Sequence, residues 1–271
     1  MARILITGAG GLLGRHLLPL LEEQDEVFAP RLDLSRPLDT ATLPPQIDAV
    51  IYAAQSNRFR EFPDAADDIF QVNTAQVAGM LDYARRAGAR NFVYASTGGV
   101  YGTGDAPFAE DSPLARGLGF YPASKLAGEV IAEAYASQLN VAILRYFFIY
   151  GAGQKREMLV PRLIDSVREG RPITLQGGDG LRINPVHASD AARATLAAAR
   201  LERSAVVNVA GPETLSLRDM AETIGEAVGK APVLEVRADQ KPGHLIADTS
   251  KMAELLVPPT RRFADGIVEL L

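Results

Sequence analysis

Short apolar runs recur along this chain with longer, helix-spaced segments between them, and that alternation limits the fold more than any other feature. RILIT (Arg3 to Thr7), EVFAP (Glu26 to Pro30), DAVIYAA (Asp48 to Ala54), NFVYAS (Asn91 to Ser96) and VAILRYFF (Val141 to Phe148) each read as a buried strand. Between most of them apolar residues fall on one helical face, as in Leu12, Leu13, Leu17 and Leu20. A second such segment, VNTAQVAGMLDYARRAG, closes on Gly88 as a C-cap. A helix between two buried strands returns the chain over the sheet, so the next strand lies parallel and the crossover is right-handed. The expected fold is α/β, a doubly wound parallel sheet with a small C-terminal subdomain. Residues 1–150 form the sheet domain, with contributions from about 181–210, and 151–271 form mainly the smaller part. From Pro30 to Leu34 the second strand runs almost directly into LDLS, which leaves little room for a helix.

The first strand ends in ITGAGGLLG, which places Gly8, Gly11 and Gly14 between a strand and a helix. Glycines there permit a tight turn, a close approach of backbone to phosphate and close packing of helix on strand. The free amides of Leu12, Leu13 and Gly14 at the helix start then face a pyrophosphate. The spacing is G-x-x-G-x-x-G, and alone it is weak; its position after the first strand makes it a dinucleotide site of the Rossmann-like kind. At the end of the second strand an acid suits a free ribose 2′-hydroxyl and an arginine suits a 2′-phosphate. The chain offers Arg31 first and no acid until Asp33, which favours NADP over NAD.

Composition excludes several classes of function. The chain has no cysteine and three histidines, so disulfides, thiolate metal sites and a Cys nucleophile are out and a metal centre is not expected. A net charge of −5 argues against nucleic acid or an anionic membrane as partner. The opening MARILITGAG reaches glycine with no apolar leader and no later run has the length of a membrane span, so a cytoplasmic protein is expected.

The segment YPASK puts Tyr121 and Lys125 four residues apart, side by side on a helix that KLAGEVIAEAYASQL continues. A phenol titrates near 10 and is a poor acid–base group at neutral pH. A neighbouring ammonium favours phenolate, so Lys125 is expected to bring Tyr121 towards working pH, and the pair can then move a proton at a carbinol oxygen while hydride moves to or from a nicotinamide. A third hydrogen-bonding group, the hydroxyl of Ser96 or Thr97, follows the fourth strand at the edge where parallel sheets bind ligands.

These segments together resemble the extended short-chain dehydrogenase/reductase family, in its NAD-dependent epimerase/dehydratase branch. The resemblance runs through TGAGGLLG, LDLS, YAAQ, Asn73 in VNTAQVAGMLDYA, FVYASTGGVYG, YPASK, LRYFFIYGAG, PVHASDAARATLAAA, NVAG and IADTSK. It implies Thr97, Tyr121 and Lys125 as catalytic residues, with Lys125 also on the nicotinamide ribose. It places Asp33 and Leu34 at the adenine, Ala53, Ala54 and Gln55 along the cofactor with Asn73 and Ala95, and Tyr146 near the nicotinamide. It also implies a homodimer, paired through the helices after Asn73 and Tyr121. Dehydratases of the family carry Asp-Glu after the catalytic Thr; Gly98 and Gly99 stand there, so dehydration is not expected. Many epimerases have Asn where this chain has Phe148, and their RPGD appears as KPGH, which keeps a cation in Lys241 but loses the guanidinium fork. Arg182 is a second candidate for the substrate diphosphate.

The implied activity is NAD(P)-dependent hydride transfer at a secondary alcohol or ketone of a nucleotide sugar, as a 4-epimerase or a 4-keto-sugar reductase. The short Pro30 to Leu34 connection is more like the reductases. Alternatives are a carbonyl reductase of a non-sugar metabolite, motivated by Phe148 and the missing arginine fork, and a non-catalytic NAD(P) sensor. His187 in PVHASD is expected to make a structural hydrogen bond, Lys155 to Glu157 a solvated turn, and Pro19 a bend in the first helix.

Overall fold

The computed structural model describes residues 1–271. In chain order the elements are β1 (Arg3–Thr7), α1 (Leu12–Glu22), β2 (Glu26–Phe28), β3 (Ala49–Tyr52), α2 (Ala66–Phe70), a π-helical turn (Gln71–Ala75), α3 (Gln76–Arg86), β4 (Asn91–Thr97), α4 (Phe120–Glu133) and β5 (Asn140–Tyr146). There follow β6 (Ile149–Tyr150), α5 (Leu159–Glu169), β7 (Ile173–Gln176), β8 (Arg182–Ile183), β9 (Val186–His187), α6 (Ala188–Ala198), β10 (Ala205–Val209), β11 (Leu215–Ser216), α7 (Leu217–Val228), β12 (Leu234–Arg237), α8 (Ser250–Leu255) and α9 (Phe263–Ile267).

The central sheet has six parallel strands in the order β10-β5-β4-β3-β1-β2. β1 lies between β2 and β3, so the winding direction reverses beside it and a crevice opens at the carboxyl ends of β1 and β3. Between β2 and β3 the only helical turn is the 3-10 turn Thr40–Thr42, as the cramped Pro30 to Leu34 connection implies.

Strand parity divides the core. Ile4, Ile6, Ala49, Ile51, Val93, Ala142 and Leu144 point to one face, where Leu13, Leu17 and Leu21 of α1 and the alanines of α6 cover them. Leu5, Val50, Tyr52, Phe92, Tyr94, Val141 and Ile143 point to the other, against Val77, Met80 and Leu81 of α3 and Ala132 of α4. Both faces are covered, which is why each strand reads as a continuous apolar run rather than an alternating one. A separate core of Val160, Leu163, Ile164, Leu175, Met220, Ile224 and Phe263 lies beyond β5.

The fifth strand stops sooner than its sequence predicts. β5 ends at Tyr146, and Phe148 then takes φ +48°, a left-handed conformation that an L side chain adopts only under constraint. Two bonds hold it: the Phe147 amide donates to Val209 O (2.9 Å) and the Val186 amide to Phe148 O (3.3 Å).

Candidate active site

Gly8 turns the chain out of β1 at φ +76°, and a Cβ there would stand 2.7 Å from the backbone of Ala53 and of Ala54. A Cβ on Gly14 would stand 2.5 Å from Ala9 Cα. Glycine is therefore required twice, once to let the chain leaving β1 pass close against the chain leaving β3 and once to seat α1 on the loop. Gly11 is the N-cap of α1 and has no side chain to satisfy the helix start. The amides of Leu12 and Leu13 find no acceptor in the protein. Open donors at a helix N-terminus, beside a crevice that only glycines leave clear, fit the diphosphate of a dinucleotide.

Tyr121 and Lys125 lie in the first and second turns of α4. The Tyr121 hydroxyl donates to Gln55 Oε1 (2.9 Å), which bridges α4 to the end of β3. The ring of Phe59 packs against the Tyr121 ring with centroids 5.1 Å apart. Lys125 is 1% exposed, and its Nζ makes no hydrogen bond within the protein; it sits 4.7 Å from the centre of the Tyr94 ring.

Burial dominates the titration of both groups. It pushes the Tyr121 phenol up to about 12, with a hydrogen bond to Thr97 opposing it, and pulls the Lys125 amine down to about 7, with the Glu129 charge opposing it. The expected lowering of the phenol by Lys125 is absent here, because burial and not the amine sets the direction of the Tyr121 shift.

Period-two alternation decides between the two hydroxyls of β4. Ser96 shares the parity of Phe92 and Tyr94, faces α4, and donates to the buried Glu129 carboxylate. Its hydroxyl is therefore occupied away from the crevice. Thr97 has the opposite parity, at the strand end; its Oγ1 accepts the Gly99 amide (3.1 Å). Gly98 has no room for a side chain, because a Cβ would stand 2.7 Å from the Phe147 ring.

The other expected residues divide by what holds them. Asn73 is fully buried in the π-helical turn; its Oδ1 accepts the Ser56 amide (3.1 Å) and its Nδ2 donates to Ser124 Oγ (3.0 Å). It thereby ties the loop carrying Gln55 to the helix carrying Tyr121, a role invisible in its spacing. The Tyr146 side chain points to the α6 face, with its hydroxyl on Thr195 Oγ1 (2.6 Å), so only its backbone is left for a nicotinamide. Leu34 is buried in the core on the α3 and α4 face, and Leu13 in the core on the α1 and α6 face. Leu12, Ala53, Ala54 and Ala95 are partly buried along the crevice edge.

Arg31 is exposed and makes no polar contact, whereas Asp33 accepts the Ser35 amide (3.2 Å) and hydroxyl (2.6 Å), which hold its carboxyl below the usual range. The main chain of Arg182 pairs with the KPGH segment, since its amide donates to His244 Nδ1 (3.0 Å) and its carbonyl accepts Leu245 N (3.0 Å). That segment lies against the loop after Thr97 through Gly104 N to His244 O (2.9 Å). Arg182 and Lys241 are exposed there and neither joins an ion pair. Phe148 is 37% exposed.

His187 is buried between Ser189 Oγ (2.7 Å) and the Glu269 carboxylate, away from Tyr121, so it makes the structural bonds expected of it. No cluster of side chains with metal-binding composition occurs. No helix is long and apolar enough to cross a membrane.

Comparison with known proteins agrees with this fold. The family model described as NAD dependent epimerase/dehydratase family matches residues 4–210. A dTDP-glucose 4,6-dehydratase of Streptomyces griseus is 32% identical over 81% of this chain and 69% of its own. A UDP-glucose 4-epimerase of Azospirillum brasilense is 30% identical over 98% of this chain and 90% of its own. The crystal structure of UDP-glucuronic acid 4-epimerase from Bacillus cereus in complex with NAD superposes with a TM-score of 0.86 at 25% identity, covering 98% of this chain and 94% of that one.

Proposed function

This chain belongs to the NAD-dependent epimerase/dehydratase family, and from that premise we propose that it is an NAD-dependent 4-epimerase of a nucleotide sugar. The observation that carries the reading is the convergence of Thr97, Tyr121 and Lys125 on one edge of the sheet, with Gly98 pressed against Phe147 beside them. An acidic residue at position 98, which dehydration of the sugar would call for, has no space.

A nicotinamide held here would supply the acceptor for hydride from carbon 4 of the sugar and its donor to the other face. Tyr121 moves the proton of the 4-hydroxyl: its phenol, directed at Gln55 in this structure, exchanges that partner for the sugar oxygen. Lys125, whose Nζ has no protein partner, meets the ribose and places a positive charge beside the phenol as its proton leaves. Thr97 holds the sugar oxygen in line. The crevice from Gly8 to Gly14, with the Leu12 and Leu13 amides and Ala53 to Gln55 on its far wall, would hold the dinucleotide, with Asn73, Ala95 and the Tyr146 backbone as further residues to meet it. Asp33 rather than Arg31 is the residue held in place at the end of β2, and the structural relative contains NAD, so NAD replaces the earlier preference for NADP. Residues 1–150 with 181–210 hold the cofactor and 151–271 the sugar nucleotide, through Arg182, Lys241 and Phe148. The proposal includes a cytoplasmic homodimer paired through α3 and α4.

The 4-keto-sugar reductase reading is favoured by one observation, the absence of a helix between β2 and β3. Incubation with NAD or NADH and a panel of UDP- and dTDP-linked sugars and 4-keto sugars separates the two. Epimer formation without net change in NADH supports the proposal, and stoichiometric NADH loss supports the reductase. Turnover only of non-nucleotide carbonyls, or dinucleotide binding without any turnover, overturns both.

A further inference from the structure

A fully buried carboxylate lies on the helix that carries the phenol and the amine. Glu129 lies on α4, four residues after Lys125 and eight after Tyr121, so the three share one helix face. It is 1% exposed, in the layer of Ala132 and Ile143. Arg145 of β5, 4% exposed, meets it as a fork: Nε lies 3.1 and 3.2 Å from the two carboxylate oxygens and Nη2 lies 2.7 Å from Oε2. The Arg145 Nη1 continues to Tyr101 Oη (2.8 Å), and that hydroxyl donates to Asn208 Oδ1 (2.8 Å). Register builds the cluster, since Ser96 and Arg145 are direct partners across β4 and β5 and both point at α4.

A buried ion pair of this kind gives no net stability over apolar side chains of the same volume. Stability therefore does not account for it, and the groups around the carboxylate do.

We propose that Glu129 is a positioning residue of the proton-transfer site: it sets a fixed negative charge one helical turn from the Lys125 amine and, through Ser96, pins the end of β4 that carries Thr97. The inference rests on the roles of Thr97, Tyr121 and Lys125 given above. Lys125 shares its helix face with Tyr121 and Glu129, and its Nζ lies over the Tyr94 ring of β4. Of these only Glu129 supports the ammonium against desolvation. Arg145 approaches Glu129 from β5, and without Glu129 its uncompensated charge would push Lys125 the same way as burial. Loss of the carboxylate therefore acts twice.

The lysines are Lys125, Lys155, Lys230, Lys241 and Lys251, few enough for a resolved NMR titration of the apo protein labelled with ¹⁵N at lysine Nζ. Lys125→Met assigns the resonance. Glu129→Gln is expected to lower the Lys125 midpoint by about one pH unit or more, and to move the alkaline limb of kcat/KM down with it. Ser96→Ala keeps the charge, so it lowers kcat and leaves the midpoint in place. Should Glu129→Gln fail to fold, Glu129→Leu with Arg145→Met replaces the pair by an apolar one and lowers the midpoint as well. A parental midpoint in whichever variant folds overturns the proposal. The titration is read without cofactor or sugar, so its outcome is independent of which substrate the enzyme takes.

Discussion

Replacing Gly8 by alanine tests the crevice directly, and two other glycines supply controls from the same molecule. Gly8 has φ +76° and its Cβ would meet the backbone of Ala53 and Ala54 at 2.7 Å. Gly88 has φ +82° and nothing within 4 Å, and Gly10 has neither constraint. The left-handed conformation costs an alanine about 1–2 kcal/mol, and forcing a methyl group against fixed backbone costs about 1–3 kcal/mol more. The stiffer unfolded chain returns about 0.4–1 kcal/mol in every case. Gly8→Ala should therefore lose about 2–4 kcal/mol, Gly88→Ala about 1 kcal/mol, and Gly10→Ala should remain within about 1 kcal/mol of the parent. Urea unfolding of the three apo proteins measures these differences. Because the methyl group pushes β1 away from β3 under the α1 N-terminus, Gly8→Ala should also weaken NAD at least about tenfold in calorimetric titration, with the controls unchanged. Equal stability of Gly8→Ala and Gly88→Ala, with parental NAD affinity, would refute the close approach and the placement of the diphosphate with it.

Tyr121→Phe should lower turnover by about 10²–10⁴ while NAD affinity by calorimetry stays at the parental value. Lys125 is held at about 7 when folded against the 10.5 of a free lysine, so the folded state binds fewer protons than the unfolded one between those values. Its contribution to unfolding free energy accordingly rises with pH across that window, and Lys125→Met should abolish the rise and gain up to about 5 kcal/mol at neutral pH; denaturant midpoints at pH 7 and pH 9.5 check it. For the same reason kcat/KM should fall as pH climbs through about 7, where Lys125 loses its proton. Asn73→Ala strands the Ser56 amide and removes the donor to Ser124 Oγ, so it should cost about 1–3 kcal/mol and lower kcat by loosening Gln55 and Tyr121.

Much of this protein is written locally. Alternation of strand and helix patterns, the glycine turn after β1 and the four-residue spacing of Tyr121 and Lys125 are properties of short segments, because hydrophobic periodicity and helix geometry act within one element. They define the layered fold, the crevice and the phenol–amine pair. Parity within β4 even separates Ser96 from Thr97 once the buried faces are known. Only the packed chain decided the rest. Gln55 meets Tyr121, Asn73 bridges Ser56 to Ser124, and Arg145 meets Glu129 under Ser96, each across a separation that no spacing rule spans. The direction in which Tyr121 and Lys125 titrate belongs with these, since it is fixed by desolvation, and a side chain's loss of water depends on every element that closes over it.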